Sequence, residues 1–270
     1  MPPASQRVYS RIVQSRQNRR VKELRASFSP ASRNETGLVG IEGEHLLTEA
    51  IRSGTRIEMV FVRSGSESIL ERVPLAPDVE VLELPDEIFS SAVTTEMPQG
   101  IAALVVPRTF SLSEMLTGQQ PLLVVAASLQ DPGNLGTLVR SAEAFGAAGV
   151  VTLPGTVSLW NSKALRASAG SAFRLPVVAA GEDEVLSWLR RSEIQVFAAV
   201  AESGKSAAAI DFRGPAAILI GNEGRGLSAD LIDAADQRVT IPCPGSVESL
   251  NAAIAASILL YEASRQRAEL

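Results

Sequence analysis

The 270-residue chain contains one cysteine and one histidine, Cys243 and His45. A single cysteine excludes an internal disulfide framework, and the two residues together argue against a zinc site built from the protein's own side chains. No run approaches the roughly 20 continuous apolar residues that a membrane-spanning helix needs. The first residues also lack the apolar core of a secretory signal. We therefore expect a cytoplasmic protein with no metal and no membrane partner.

The chain has no overall positive charge to attract nucleic acid, because its formal net charge is −5. The distribution of charge along the chain nevertheless favours nucleic-acid binding. Residues 1–33 sum to +7, so the remainder sums to −12. Such a basic arm is typical of a phosphate-contacting element, although a solubilising or disordered tail has the same composition. The candidate RNA-binding residues in this arm are Arg16, Arg19, Arg20 and Lys22.

After a basic arm at residues 1–20, alternating strand and helix patterns predict a small α/β domain over residues 21–107. The predicted strands are residues 38–41, 57–63, 79–84 and 101–106. The predicted helices are residues 21–28, 44–53, 69–73 and 86–93. Residues 108–120 are polar and end in Gly-Gln-Gln, so we interpret them as a linker.

Residues 121–270 form the second predicted domain, also α/β. Continuous apolar runs predict strands buried on both faces of a parallel sheet. These strands are residues 122–127, 149–153, 196–200 and 216–220, and a further strand ends in Ile241-Pro242. The predicted helices are residues 135–145, 163–171, 182–191 and 250–265.

A glycine loop, Gly221 to Gly226, follows the strand at residues 216–220. It is not a Walker A loop, because no Lys-Ser/Thr pair follows, and its glycine order differs from the dinucleotide fingerprint. Glu223 inside the loop would repel a phosphate. The loop therefore favours a ligand that is neutral or cationic on that side, such as a sulfonium or an amino group, unless it is a simple turn.

Asn134 and Arg140 follow the predicted strand at residues 122–127, at the sheet edge where open α/β folds bind ligands. We expect Asn134 to be a helix N-cap. Arg140 lies off the apolar stripe of the helix, where it is either solvated or available to a phosphate. Ser249 and Asn251 flank Leu250 at another predicted helix start, so capping also explains them.

These segments together resemble a known family. The patterns Asn134-x-Gly136-x-x-x-Arg140, Gly221-x-Glu223-x-x-Gly226 and Ile241-Pro242 through Ser249-Leu250-Asn251 resemble, in order and separation, the three motifs of SpoU-type (TrmH-type) ribose 2′-O-methyltransferases of the SPOUT superfamily. Residues 163–170 are similar to an intermediate segment of that family. The N-terminal half is similar to its substrate-binding domain, which is related to RNA-binding ribosomal proteins. Cys243-Pro244 departs from the usual family sequence.

The resemblance implies a C-terminal SPOUT domain with a deep trefoil knot, a homodimer, S-adenosylmethionine as cofactor and RNA as partner. It assigns catalytic or positioning roles to Asn134, Arg140, Glu223, Ser249 and Asn251. It assigns cofactor binding to Gly221, Gly226, Ile241, Pro242 and Leu250. It adds Arg140, Lys163 and Arg166 to the candidate RNA-binding residues.

The function that we predict is S-adenosylmethionine-dependent 2′-O-methylation of a ribose in structured RNA, with ribosomal RNA preferred. Transfer RNA is an alternative substrate, and an RNA-binding module without catalysis is an alternative function. A Rossmann-type oxidoreductase is disfavoured, because its glycine order and the acidic residue after its second strand are both missing.

Overall fold

The computed structural model describes residues 11–29, 35–116 and 118–268. Contacts divide the chain into two compact units. One comprises residues 1–108 and Trp160–Phe173, and the other comprises Thr109–Leu159 and Arg174–Leu270. Arg7 and Arg33 of the predicted basic arm lie outside the described residues. In the described ranges, no helix is long and apolar enough to cross a bilayer.

The strands and helices are named here in chain order. The strands are β1 (Val39–Glu42), β2 (Arg56–Arg63), β3 (Val81–Leu84), β4 (Ile101–Val106), β5 (Leu122–Ala126), β6 (Gly149–Thr152), β7 (Val177–Ala179), β8 (Gln195–Ala199), β9 (Lys205–Ser206), β10 (Ala216–Ile220) and β11 (Gln237–Thr240). The helices are α1 (Arg19–Ser27), α2 (Glu44–Arg52), α3 (Asp86–Ala92), α4 (Pro132–Ala144), α5 (Ser162–Ser168), α6 (Glu182–Arg191), α7 (Ala229–Ala234) and α8 (Ala252–Arg267).

The first unit is built on a four-stranded sheet with the order β1-β4-β2-β3. Strand β4 pairs antiparallel with β1 and β2, and β3 pairs with β2 in parallel. Side chains alternate along β2, so that Met59 and Phe61 face the same side of the sheet. Both belong to one buried cluster with Leu24 of α1 and Phe89 of α3. The small α/β fold predicted for the N-terminal half is therefore confirmed.

The segment Trp160–Phe173 packs with the first unit although it lies far along the chain. Its helix α5 contacts β1. Gly170 has a φ of +93°, and a Cβ at this position would lie 2.7 Å from the Cβ of Glu49 on α2. The rings of Trp160 and Phe173 are 6.3 Å apart. A segment from within residues 121–270 thus packs as part of the N-terminal unit.

The second unit contains a seven-stranded sheet with the order β7-β6-β5-β10-β8-β11-β9. Every neighbouring pair in it is parallel. Strands β5 and β10 lie side by side at its centre and are buried throughout, which explains their unbroken apolar sequences. The chain continues from β5 to β6 and β7 on one side, whereas β8, β11 and β9 lie on the other. The loops after β5 and β10 therefore flank the place where an open α/β sheet binds its ligand.

Part of the predicted linker is packed into the second unit. A 3₁₀ helix, Leu112–Met115, begins with a capping box between Ser111 and Glu114. Met115 is fully buried in the core. A Cβ on Gly149 of β6 would lie 2.8 Å from the Cγ of Met115, so glycine makes room for this side chain.

The end of α8 is fastened to the chain before β10. Buried Gln266 accepts a hydrogen bond from the N–H of Phe212 at 2.8 Å and donates to the carbonyl of Ile210 at 2.9 Å. Arg267 donates to the carbonyls of Phe212, Gln120 and Gly214. Burial lowers the pKa of Arg267. These bonds carry α8 two residues beyond the predicted end at residue 265.

Candidate active site

The glycine loop after β10 closes on itself. Asn222 and Gly226 exchange two backbone hydrogen bonds, of 3.0 and 2.9 Å. A Cβ on Gly221 would overlap the backbone of Gly226 and Leu227, and Gly226 has a φ of +67°. Glycine is therefore required at position 221 by close approach and favoured at position 226 by its backbone conformation. In contrast, a Cβ on Gly224 would meet only Asn222 Oδ1, at 3.6 Å.

Asn222 holds this loop in place, and the sequence analysis gave it no role. Its Oδ1 accepts hydrogen bonds from the backbone N–H groups of Gly224 at 2.9 Å and Arg225 at 3.2 Å. Its Nδ2 donates to the carbonyl of Ser128, beyond the end of β5, at 2.9 Å. The loops after the two central strands are thus tied together by one side chain. An asparagine that bonds to the backbone two residues on is a known turn signal, which could have identified it.

The start of α4 differs from the prediction, because Asn134 is not its N-cap. Asp131 is the N-cap, and its Oδ1 accepts a hydrogen bond from the N–H of Asn134 at 3.0 Å. Pro132 suits the first helical turn, where its fixed φ is already helical and its missing N–H is not needed. The helix therefore begins before Asn134, whose side chain is available for tertiary contacts.

Asn134 joins the three motif segments by hydrogen bonds. Its Nδ2 donates to Glu223 Oε1 at 2.7 Å, and its Oδ1 accepts from Asn251 Nδ2 at 3.0 Å. Asn251 is also the N-cap of α8, and its Oδ1 accepts from the N–H groups of Ala253 and Ile254. Asn251 therefore both caps α8 and takes part in the hydrogen-bonded network of the site. The chain Asn251–Asn134–Glu223 joins distant parts of the sequence. Asn251 and Asn134 are 117 positions apart, and Asn134 and Glu223 are 89 positions apart.

A cavity of about 450 Å³ lies beside this network. Of the predicted cofactor-binding residues, Gly221, Gly226, Ile241 and Leu250 line it, whereas Pro242 is not among its lining residues. Glu223 and Ser249 also line it, together with Glu248 and Cys243. Asn134, Arg140 and Asn251 are outside the lining, so they lie beside the cavity or further along α4.

Arg140 is exposed on α4, six residues after Asn134. At a rise of about 1.5 Å per residue, this places its Cα roughly 9 Å along the helix axis from that of Asn134. It has no carboxylate partner in the part of the chain that the structure describes. Lys163 and Arg166 are exposed on α5, which belongs to the first unit.

The cations predicted for the basic arm are partly engaged within the first unit. Arg19 and Arg20 both pair with Glu23 at 2.9 Å, and Arg16 lies 3.5 Å from Glu87. Burial opposes ionisation of Glu23, but the hydrogen bonds from Arg20 and Arg19 outweigh it and lower its pKa. Lys22 is exposed and has no ion pair among residues 11–29 and the other described ranges. Such surface pairs contribute little stability, so these arginines can exchange Glu23 for a phosphate.

Gly221→Ala tests the cavity against a matched substitution in the same loop. Because the new methyl group overlaps backbone, we expect the affinity for S-adenosylmethionine, the cofactor that the sequence motifs imply, to fall about tenfold or more. Gly224→Ala, which adds the same group in open space, should bind within about threefold of the parent. Isothermal titration calorimetry measures both. Equal affinities of the two variants would contradict the close packing at Gly221.

Comparisons with known proteins identify the family of this chain. A family model described as SpoU rRNA Methylase family matches residues 121–261, and a model described as MRM3-like substrate binding domain matches residues 18–103. The 23S rRNA (guanosine(2553)-2′-O)-methyltransferase RlmP of Bacillus subtilis (strain 168) is 34% identical over 252 residues, which is 92% of this chain and 97% of that protein.

Solved structures match to different extents. The AdoMet-bound rRNA methyltransferase of Sinorhizobium meliloti superposes with a TM-score of 0.84 at 30% identity, covering 94% of this chain and 97% of the other. Another solved structure, which concerns the 2-OH methylation of C/U34 on tRNA, matches 57% of this chain and 100% of its own chain. The identity is 30% and the TM-score is 0.52. The chain is a methyltransferase that belongs to the SpoU rRNA methylase family.

Proposed function

We propose that this methyltransferase transfers the methyl group of S-adenosylmethionine to the ribose 2′-hydroxyl of a nucleotide in ribosomal RNA. The observation that carries the proposal is the hydrogen-bonded chain Asn251–Asn134–Glu223 beside a cavity that Gly221 lines. This arrangement brings the three sequence motifs to one place. A ribosomal RNA substrate also agrees with the expected cytoplasmic location.

The cavity fits the cofactor in size and chemistry. Its volume of about 450 Å³ is within the range of roughly 300–1,000 Å³ that is usual for small-molecule sites. Ile241, Leu250 and Leu259 give it apolar walls, and the glycine loop brings backbone groups to its edge. Two carboxylates, Glu223 and Glu248, line it as well, and they suit a cationic sulfonium better than a phosphate.

Residues of the chain have separate roles in the proposed reaction. When bound, S-adenosylmethionine supplies a methyl group that is activated by its positive sulfur. Gly221, Gly226, Ile241 and Leu250 would hold it, while Pro242 stiffens the exit from β11. Asn134 is fixed by two bonds, and Asn251 and Glu223 thereby hold α4 against the cavity. Such positioning supplies several kcal/mol of barrier reduction in well-oriented reactions.

Arg140 orients the RNA in this proposal. A guanidinium offers donors and no acceptor, so Arg140 does not act as the base. It can donate to the 2′-hydroxyl oxygen and to the neighbouring phosphate, which then accepts the hydroxyl proton. Ser249, exposed at the cavity wall, is placed to bond to the same nucleotide.

The coverage of the relatives favours ribosomal RNA over transfer RNA. The Bacillus subtilis relative, named for 23S rRNA, matches both units of this chain. The structure described for tRNA matches only 57% of it. This chain therefore shares an N-terminal substrate-binding domain with the Bacillus subtilis relative. We assign the class of RNA from that shared domain and do not assign the nucleotide.

Arg140→Ala tests both the reaction and the substrate class. We expect it to abolish methyl transfer while the affinity for S-adenosylmethionine stays within about tenfold, because Arg140 does not line the cavity. Ribose methylation should be mapped in total RNA from cells lacking the gene and from the same cells expressing the parent or the variant. A 23S rRNA position restored by the parent and not by Arg140→Ala is the expected result. A restored position in transfer RNA would replace the ribosomal assignment, and full turnover by the variant would remove Arg140 from the mechanism.

Asn134→Asp tests the hydrogen-bonded chain. It sets two carboxylates face to face where Asn134 and Glu223 are now 2.7 Å apart. We expect kcat to fall about tenfold or more at pH 8 and to recover partly as the pH falls, because mutual repulsion raises the pKa of the pair until one proton bridges it. The double variant Asn134→Asp/Glu223→Gln restores a donor opposite an acceptor and should recover activity without that pH dependence. Glu223→Gln alone measures the effect of the lost charge. Full activity of Asn134→Asp at every pH would show that the chain is dispensable.

We also propose that the protein is a homodimer formed through α8. Three large apolar side chains lie along one exposed side of this helix: Ile254 at 52% exposure, Ile258 at 37% and Tyr261 at 56%. The stripe begins just after Asn251. It runs beside α4, to which α8 is joined by a 2.7 Å hydrogen bond between Ser141 and Ser257. A two-fold interface on this surface would cover the stripe and bring Arg140 of each copy close to the other copy's site.

Ile258→Asp places a charge in the middle of this stripe. If two copies associate there, the variant should be monomeric at concentrations where the parent is a dimer, because an unpaired carboxylate cannot be buried without cost. Met97→Asp, at an apolar side chain that is 85% exposed in the first unit, is the control and should remain dimeric. Analytical ultracentrifugation measures the mass of each. If Ile258→Asp remains dimeric like the control, or if the parent is a monomer, this interface is ruled out.

A further inference from the structure

The second unit has few cations to attract RNA. Its residues 109–159 and 174–270 contain ten Lys and Arg against sixteen Asp and Glu, a formal charge of −6. Such a surface repels a polyanion unless positive groups are concentrated where the RNA lies. The RNA side of the site therefore depends on which of these ten cations are still available.

Six of these ten cations already bond to other groups of the protein. Four arginines pair with nearby carboxylates: Arg174 with Glu143, Arg213 with Asp211, Arg238 with Asp233 and Arg265 with Glu262. Arg267 donates to three carbonyls, and Lys205 donates to Gln237. Four exposed arginines have no carboxylate partner among the described residues: Arg140, Arg190, Arg191 and Arg225.

Two of these four lie on segments that leave the edge of the sheet that carries the site. Arg190 and Arg191 end helix α6, which leads into the amino end of β8. The glycine loop and the start of α4 follow the carboxyl ends of β10 and β5, which run parallel to β8 and to each other. Arg225 lies in the glycine loop at this edge, and Arg140 lies on the helix that begins there. Neither has a carboxylate partner among the described residues.

Arg225 extends from a backbone that is held in place. Its N–H donates to Asn222 Oδ1 at 3.2 Å, within the loop closed by the Asn222–Gly226 pair. It stands two residues after Glu223, which is bonded to Asn134, and it is one of the residues that line the cavity. A guanidinium on a fixed backbone, exposed to solvent and unpaired, suits a phosphate, which it can bind with two parallel hydrogen bonds.

We infer that Arg225 binds a phosphate of the RNA strand beside the methylated nucleotide. This inference rests on the proposed function, because it needs RNA as the substrate. Arg225 acts in binding and placement of the strand. It takes no part in the proton transfer.

The test compares Arg225→Ala with Arg191→Ala, which removes the same charge from the other edge of the unit. The substrate is a 23S rRNA transcript, and KM is measured between about 50 and 200 mM KCl. For Arg225→Ala we expect KM for RNA to rise about three- to tenfold near the middle of that range. The slope of log KM against log salt should also fall by about 0.7–0.9, the loss of one phosphate contact. Arg225→Lys should keep the parent slope.

S-adenosylmethionine affinity, measured by calorimetry, separates the remaining outcomes. It should stay within about threefold of the parent in Arg225→Ala, because alanine keeps the backbone N–H that bonds to Asn222. Retained binding also shows that the variant is folded. A loss of cofactor affinity with an unchanged salt slope would mean that Arg225 binds the cofactor's carboxylate. If Arg225→Ala and Arg191→Ala have the same KM for RNA and the same salt slope, Arg225 binds neither the cofactor nor the RNA. Either result overturns the inference while the parent still methylates RNA. A parent that neither binds nor methylates RNA would overturn the proposed function itself.

Discussion

The two hydrogen bonds of the Asn134 carboxamide connect the three motif segments of the site. Its amide nitrogen donates to Glu223 and its oxygen accepts from Asn251, so both sides of one planar group are used. Because donor and acceptor cannot be exchanged without turning the amide over, these bonds set the orientation of all three side chains. The loop after β10 and the start of α8 are thereby fixed relative to α4, whose own first turn is set by Asp131 and Pro132.

In the proposed function, different groups around this centre bind the cofactor and the RNA. On the cavity side, the chain offers backbone and apolar surface, and Gly221 is small because the chain at Gly226 and Leu227 passes against it. On the side of the RNA, it offers exposed guanidinium groups on a domain that is otherwise acidic. Both depend on the same loop, since Asn222 shapes the backbone that lines the cavity and also carries Arg225.

Much of the fold followed from local pattern, and the errors have physical causes. Strands β4 and β10 and helix α6 begin and end at the predicted residues, because their apolar runs or amphipathic faces are bounded by turn residues. Strands β7 and β9 were missed, since three and two residues are too few to show a period. Asn134 was predicted as an N-cap because its residue type suits one, but Pro132 starts the helix earlier. The deep knot implied by the motifs stays a prediction.

The sequence by itself determined the α/β class, the parallel sheet of the second unit and the family, because buried runs and motif glycines act over short distances along the chain. It also indicated a ligand without phosphate at the glycine loop, from the charge of Glu223 alone. Only the tertiary structure decided that Trp160–Phe173 packs with the first unit and that Asn222 ties two loops together. It also decided that Arg140 and Arg225 have no carboxylate partner among the described residues, whereas other arginines do. Ion pairs and side-chain hydrogen bonds join residues that are often far apart in sequence, and their geometry exists only once the chain has folded.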